Sequence, residues 1–365
     1  MWSGKNLVEM GMQKKAVVLL SGGLDSTLAA HIMLEQGIEM EAVHFTGVFC
    51  NCPSGKSGCG TLAREIASEM KIPVRMVFKG MDYLDIVRTA PHGYGRGLNP
   101  CIDCRIYMLR KVRHLMPEMN ASFIVTGEVL GQRPMSQHRD ALRIIEQESG
   151  TTGLVLRPLS ARHFPLTIPE IEGIVDREKL LAVSGRSRSA QIQLARKFGI
   201  SEYPCPAGGC LLTDKAVAVR LLDLFSHTPN FTLTDARLTT FGRHFRVDDR
   251  IKIVVGRNKQ ENEKLEVLAE IGSTLFISEG FPGPTAIVSG CDPGEKYNPI
   301  IGGIIAFYGK SNGHGRIRKK VVGGAEQDVP LPKPLPVHIL NGMRINQFVA
   351  QKSDANSDAM LSKGI

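Results

Sequence analysis

The chemistry-bearing residues of this 365-residue chain gather in three short runs. The first is Ser21-Gly22-Gly23-Leu24-Asp25-Ser26-Thr27, which follows an apolar run, Ala16 to Leu20, and opens a stretch with helical spacing, Leu28, Ala29, Ile32 and Met33. Two glycines let the backbone turn tightly so that its N–H groups converge on an anion. The helix that follows adds its positive N-terminus and the Ser26 and Thr27 hydroxyls. Strand, glycine turn and helix start in that order form a cradle suited to pyrophosphate. No lysine stands where the Walker loop carries one, and the Gly-x-Gly-x-x-Gly spacing is absent, so Walker-type hydrolases and dinucleotide dehydrogenases are disfavoured.

The second run is built on sulfur. Asn99-Pro100-Cys101-Ile102-Asp103-Cys104-Arg105 opens a basic helical segment, where thiolates would gain from the helix dipole and from Arg105. One Cys-x-x-Cys pair is half a metal site. The other half is offered by Tyr203-Pro204-Cys205-Pro206-Ala207-Gly208-Gly209-Cys210, through Cys210 or, less favoured, Cys205. Four thiolates suit zinc, whereas three with an open iron position suit an iron-sulfur cluster used in sulfur transfer. A further group, Cys50, Cys52 and Cys59, lies in a loop and could hold another metal or relay a persulfide. Eight cysteines in a chain without a recognisable secretion signal favour metal or sulfur chemistry over disulfides.

The third run is Thr126-Gly127-Glu128-Val129-Leu130-Gly131-Gln132, with Ser136-Gln137 after it. It follows an apolar segment, Phe123 to Thr126, and so sits at the carboxyl end of a strand, where ligands bind in a doubly wound sheet. Gly127, Glu128 and Gln132 are placed to orient a nucleotide or a uracil. His44, in Ala42-Val43-His44-Phe45, is a further nucleotide candidate at a strand end.

The elements needed to hold these runs are legible as a pattern. Ala16 to Leu20, Glu41 to Phe45, Val74 to Phe78 and Phe123 to Thr126 read as strands separated by helical segments, one carrying the stripe Ile106, Leu109, Val112 and Met116. This is an α/β fold with a doubly wound parallel sheet over residues 1–167. Residues 168–230 read as a helical adaptor (168–181, 189–199 and 214–227), residues 231–325 as a smaller α+β domain, and residues 326–365 as an extended proline-rich and polar tail.

The Ser21–Thr27 loop closely resembles the PP-loop of ATP pyrophosphatases. That resemblance implies adenylation of a carbonyl oxygen with ATP and release of pyrophosphate, with Asp25 helping to hold Mg2+. Asn99-Pro100 before Cys-x-x-Cys is similar to the Asn-Pro-Asp-x-x-Cys segment of tRNA 2-thiouridylases, with Cys101 in place of Asp and Cys104 at the catalytic or cluster-binding cysteine. The Thr126–Gln137 run is similar to a stretch of tRNA 4-thiouridine synthetases. The implied activity is an ATP-dependent tRNA sulfurtransferase with Asp25, Cys101, Cys104 and Cys210 as its chemical residues, a 4Fe-4S cluster or zinc at its cysteines, and C4 favoured over C2. Only 15 residues precede the first strand, and no rhodanese-like carrier is recognisable, so RNA capture and sulfur delivery are arranged differently from the synthetase. The donor is read as free sulfide or the persulfide of a cysteine desulfurase. Two rivals stand beside this: a small-molecule synthase with structural zinc, and a non-catalytic RNA-binding factor of translation quality control.

Residues 249–290, including Val255-Gly256-Arg257-Asn258 and Gly280-Phe281-Pro282-Gly283-Pro284, resemble the RNA-binding NFACT-R module of ribosome quality-control factors. With 45 basic residues against 36 acidic, the chain carries a net charge of +9, which permits a polyanionic partner. Arg186, Arg188, Arg243, Arg257, Arg316, Arg318, Lys319 and Lys320 are the candidates for phosphate contact with tRNA. The longest apolar stretches fall far short of the roughly 20 residues a membrane helix needs, so the expectation is a cytoplasmic protein without membrane contact. A homodimer is left open.

Overall fold

The computed structural model describes residues 14–50, 59–200 and 210–345, at Cys59 the backbone alone. The chain divides into two compact units, the first ending at Cys210 and the second starting at Leu211. The first contains β1 (Lys15–Leu19), α1 (Leu24–Leu34), β2 (Glu39–Gly47), α2 (Cys59–Glu69), β3 (Val74–Lys79), α3 (Met81–Thr89), α4 (Cys101–Leu115), β4 (Phe123–Val125), α5 (Arg139–Ser149), β5 (Val155–Leu156), α6 (Ile168–Ile171) and α7 (Ser189–Lys197).

All five strands run parallel in the order β3-β2-β1-β4-β5. Ala16, Val17 and Val18 of β1 are fully buried, the continuous apolar run of a strand covered on both faces. Alternation then sorts the side chains. Ala16, Val18 and Leu20 pack with Leu24, Leu28 and Ile32 of α1, while Val17 and Leu19 meet Ile106, Leu109 and Val112 of α4. The predicted α4 stripe is therefore the underside of one helical layer. Strand order reverses between β1 and β4, which opens a crevice at their carboxyl ends. Both the Ser21–Thr27 loop and the Thr126–Gln132 run start there.

The helix expected over 168–181 is instead the single turn α6 followed by a 3-10 turn, Arg177–Lys179. Gly173 takes φ +68°, a left-handed residue that ends the helix. The separate adaptor also dissolves: α7 stays with the first unit, Phe198 beyond its end stacking on His31 of α1 with ring centroids 5.1 Å apart.

The second unit contains α8 (Lys215–His227), α9 (Leu233–Leu238), β6 (Arg243–Arg246), β7 (Lys252–Val255), α10 (Lys259–Val267), β8 (Thr274–Glu279), β9 (Ala286–Val288), α11 (Asn298–Tyr308), β10 (Arg316–Val321), β11 (Glu326–Pro330) and α12 (Val337–Met343). Its six strands are antiparallel in the order β11-β10-β8-β9-β7-β6. One face packs Phe245, Ile253, Phe276 and Ile317 against Ile301, Ile304 and Ile305 of α11. The other packs Val254, Leu275 and Ile287 against Leu238 and Leu265. The segment expected to start a tail at residue 326 supplies β11 and α12 instead. A Cβ on Gly302 would meet Pro332 Cδ at 2.7 Å, and one on Gly303 would meet Leu335 Cγ at 2.7 Å. The prolines cover a bare helix face, which is why they are ordered.

Candidate nucleotide and thiol site

The loop after β1 is held by its own hydroxyls. Ser26 Oγ donates to the Gly23 carbonyl at 2.8 Å and Thr27 Oγ1 donates to it at 3.1 Å, while Gly23 N–H donates to Ser21 Oγ at 3.3 Å. Gly22 sits at φ +77°, the left-handed turn that the glycine pair supplies. Gly127 lies edge-on against this loop: a Cβ there would be 2.4 Å from Ser26 N and 2.5 Å from the Asp25 carbonyl carbon, so only glycine fits. Gln132 Nε2 donates to Asp25 Oδ2 at 3.0 Å, joining the first and third runs. Asp25 Oδ1 is buried and without a partner, an orphaned anionic oxygen of the kind a bound cation satisfies.

Glu128 departs from its expected ligand role. It is 3% exposed and locked by Arg157 Nε at 3.0 Å and Arg105 Nε at 3.5 Å. Burial alone would raise its carboxyl, but the two guanidiniums outweigh that and hold it below the ordinary value. Its work is to anchor the turn after β4. His44 is buried, with Nδ1 2.7 Å from the Leu20 carbonyl, so Nδ1 carries the proton and donates. Burial lowers the ring's pKa, leaving it neutral with Nε2 an unpartnered acceptor.

The cysteines converge at the carboxyl ends of β2 and β3. Cys101 and Cys104 lie in the first turn of α4, and Cys50 forms an isolated antiparallel bridge with Cys210. Lys79, the last residue of β3, places Nζ 3.9 Å from Cys104 Sγ. Burial alone would lower the Lys79 ammonium, but the sulfurs of Cys104, Cys50 and Cys210 outweigh it and raise it above its ordinary value. Cys101 differs from the sequence expectation: burial, then Cys104, pushes its thiol up, and Arg105 and Arg133 only partly oppose this. Cys205 and Cys52 lie outside the described residues, as does the side chain of Cys59. Among the described residues no three His, Cys, Asp or Glu side chains are grouped closely enough to hold a metal ion. The donor chemistry suits iron-sulfur or zinc, whereas the placement of the described thiols does not form such a site.

Sequence reasoning missed Lys79, Tyr83, Arg133 and a network under the Cys-x-x-Cys turn. His92 Nδ1 is 2.7 Å from Asp103 Oδ1 and its Nε2 is 2.9 Å from Glu148 Oε1. This ties the loop before α4 to α4 and α5. Burial alone would lower the His92 pKa, but Asp103 and then Glu148 raise it net. A histidine raised in the folded state adds stability that is fully present below its unfolded value of about 6.5 and is lost as pH rises through the folded value. His92→Gln is therefore expected to lower the urea midpoint at about pH 6 and to match the parent at about pH 9. Equal midpoints at the lower pH would remove this network from the stability of the turn.

The basic candidates are dispersed. Arg186 is exposed and Arg188 half-buried ahead of α7. In the second unit most carry an acid partner: Arg257 pairs with Glu261, Arg316 with Glu279 and Asp328, Arg318 with Glu279, and Lys320 with Glu326. Arg243 lies 4.2 Å from the Tyr308 ring centroid. Lys319 departs from the expectation of a surface cation, being 3% exposed with Nζ 2.7 Å from Asp292. It points into the sheet interior because β10 alternates, and its neighbours Arg318 and Lys320 face the other way.

Comparison with known families decides what these units are. Residues 11–163 match the family model described as thiamine biosynthesis protein (ThiI). The first unit carries a ThiI-family domain. Residues 242–333 match the NFACT protein RNA binding domain, so the second unit carries an NFACT-type domain. A crystal structure of a 4-thiouridine synthetase–RNA complex with bound ATP shares 25% identity over 51% of this chain and 51% of that one, at a TM-score of 0.32. The C-terminal part of the Streptococcus suis fibronectin/fibrinogen-binding protein shares 11% identity over 73% and 98%, at a TM-score of 0.26. A predicted tRNA methyltransferase subunit from Methanocaldococcus jannaschii shares 20% over 44% and 75%, at 0.27. This chain spans about half the length of the synthetase it matches. The ThiI domain contains all three chemical runs except the cysteines at 205 and 210. Among the described residues, no helix is long and apolar enough to cross a membrane.

Proposed function

We propose that this chain is an ATP-dependent tRNA sulfurtransferase that replaces a uridine carbonyl oxygen by sulfur, with 4-thiouridine the favoured product. The observation that carries the reading is that the Ser21–Thr27 cradle, the Gly127–Gln132 run that packs on it, and Cys101 and Cys104 all fall within the region matched to ThiI, with Cys210 beyond that region at the end of the same unit. The Ser21–Thr27 backbone would bind the phosphates of ATP, Asp25 Oδ1 would take Mg2+, and the neutral His44 Nε2 could accept from the adenine amino group. The uridine oxygen attacks the α-phosphate and pyrophosphate leaves. A sulfur nucleophile then adds to the same carbon and AMP departs with the oxygen, since adenylation has made that oxygen a good leaving group. Free sulfide would add directly; alternatively a donor persulfide would pass its outer sulfur to Cys104, the donor leaving as a thiol, and once that sulfur has added to the uridine a second thiol, Cys101 or Cys210, would attack Cys104 Sγ, releasing the thiouridine and leaving a disulfide that an external thiol reduces.

A cluster at these cysteines, or zinc, would need Cys205 or a rearrangement of the described thiols, and no step here runs through it. The second unit would supply tRNA affinity through Arg243, Arg257, Arg316, Arg318 and Lys320, with Arg186 and Arg188 of the first. Their acid partners can be exchanged for phosphates, a purely electrostatic term that weakens with salt.

The test is direct. Protein purified without oxygen, incubated with ATP, Mg2+, tRNA and sulfide, should release pyrophosphate and leave a thionucleoside identifiable by its mass. Iron, sulfide and zinc measured on the same sample decide between cluster and persulfide. Pyrophosphate release with a small molecule, and none with tRNA, would overturn the reading.

A further inference from the structure

In one corner of the second unit an exposed aromatic ring stands beside a group of arginines. α11 is apolar along most of its length, and Ile301, Ile304, Ile305 and Ala306 are buried. Phe307 is the exception, at 36% exposed. Its ring meets that of Tyr308 edge-on, with centroids 5.0 Å apart at 83°, which steadies it. The Arg243 guanidinium lies 4.2 Å from the Tyr308 centroid, and Arg243 Nη1 donates to the Gly256 carbonyl at 3.1 Å. Arg243 is held by these contacts and, among the described residues, by no ion pair. Arg257, next after Gly256, has a side chain 49% exposed and pairs with Glu261. Burial alone would raise the Glu261 carboxyl, but Arg257 and then Arg243 outweigh that and lower it. Burial and then Arg257 lower the Arg220 guanidinium of α8, with Asp214 and Glu261 only partly opposing them. Three arginines thus gather about two carboxylates, which leaves positive charge beside an exposed ring.

We propose that Phe307, Arg243 and Arg257 form a binding site for an unpaired nucleotide of RNA, the base stacking on Phe307 and the flanking phosphates meeting the two arginines. The site rests on the RNA-binding part of the reading above and is independent of the thiol chemistry of the first unit. The match of residues 242–333 to an RNA-binding domain gives the class of molecule that comes to this unit, and the exposed ring selects the feature it holds. A phenyl ring can cover only a base whose face is uncovered, and inside a duplex each face is already stacked on its neighbours. The two arginines have different parts. Arg243 is fixed by the Gly256 carbonyl and by the Tyr308 ring, so its charge is placed before any ligand arrives. Arg257 is half exposed, and a phosphate would compete with Glu261 for it.

The experiment uses the full chain and two fluorescein-labelled probes, a short oligouridylate and an RNA duplex of the same length, read by anisotropy. Phe307→Ala should weaken the single strand about ten-fold and leave the duplex nearly unchanged. Phe307→Trp should bind the single strand as well as the parent, whereas Phe307→Leu, apolar but without a π face, should bind as weakly as alanine. The added indole should be quenched by the oligouridylate once the signal of Trp2, measured in the parent, is subtracted. Arg243→Gln and Arg257→Gln should each reduce the slope of log Kd against log salt by about one, and Phe307→Ala should leave it unchanged. Circular dichroism checks that each variant folds. Equal single-strand affinity in the parent and Phe307→Ala, or leucine as good as tryptophan, would overturn the stacking role. An equal loss on the duplex would overturn the choice of an unpaired nucleotide, and unchanged salt slopes would remove the arginines. If these results appear as expected while no tRNA is thiolated, the nucleotide site stands and the sulfurtransferase reading falls. If tRNA is thiolated while Phe307→Ala binds like the parent, the reverse holds.

Discussion

Asp25→Ala is expected to abolish thiolation, by about a thousand-fold or more, while leaving tRNA affinity nearly unchanged. One oxygen of this carboxylate is tied to Gln132 at 3.0 Å, and the other is buried with nothing to bind. That second oxygen is the feature a cation and its phosphates would complete, so its loss removes charge stabilisation where pyrophosphate charge develops. The fold should tolerate the change. Asp25 lies in the first turn of α1, where a carboxylate adds only about 0.3–1 kcal/mol against the helix dipole. Asp25→Asn separates charge from shape: it can keep the Gln132 contact, yet it should be as inactive as alanine. Pyrophosphate release, thionucleoside mass and filter binding of tRNA, measured on one preparation, check this. Thiolation at the parent rate in either variant would sink the adenylation step.

Why some of this was legible in sequence and some was not follows from range. The loop at Ser21 and the strand before it are local, so glycines, hydroxyls and a short apolar run sufficed. The Cys-x-x-Cys turn is local too, which is why α4 begins at Cys101 as its spacing implied. The partnership of Cys50 with Cys210 is not local, and Lys79 shows no signal except its position at a strand end. In the second unit, composition misled. Arg316-Ile317-Arg318-Lys319-Lys320 reads as a basic patch, yet it is a strand with Ile317 and Lys319 turned inward. Asn298 to Tyr308 is nearly all apolar around two glycines, so no polar face marks it as a helix. Its glycines became meaningful only once the proline segment was seen to lie on them.

The largest effect on stability is expected from Arg157→Met. The Arg157 side chain is 3% exposed and bridges Glu128 at 3.0 Å and Glu146 at 2.5 Å. Removing it leaves Glu128 fully enclosed with only Arg105, 3.5 Å away, as a counter-charge. Breaking one side of a buried pair costs about 3–5 kcal/mol, because the remaining charge keeps its desolvation penalty without its partner. Lysine should not rescue it, since a single ammonium cannot reach two carboxylates as a planar fork does. The double variant Arg157→Met with Glu128→Gln should regain part of the loss by removing the stranded charge, and a non-additive cycle would show it. The pH dependence has a definite sign. Glu128 is held below its ordinary value of 4.5 in the folded state, so its stabilisation is present above that value and lost as pH falls through the folded one. The gap in urea midpoint between parent and Arg157→Met should therefore be widest near neutrality and shrink in acid. An unchanged midpoint at neutral pH would refute the network. Glu128 follows Gly127, which packs so closely on the loop that an added Cβ would lie 2.4 Å from Ser26 N, so the same variant should also loosen the phosphate loop and raise the KM for ATP. The charge under the crevice and the cradle at its rim are parts of one mechanical support.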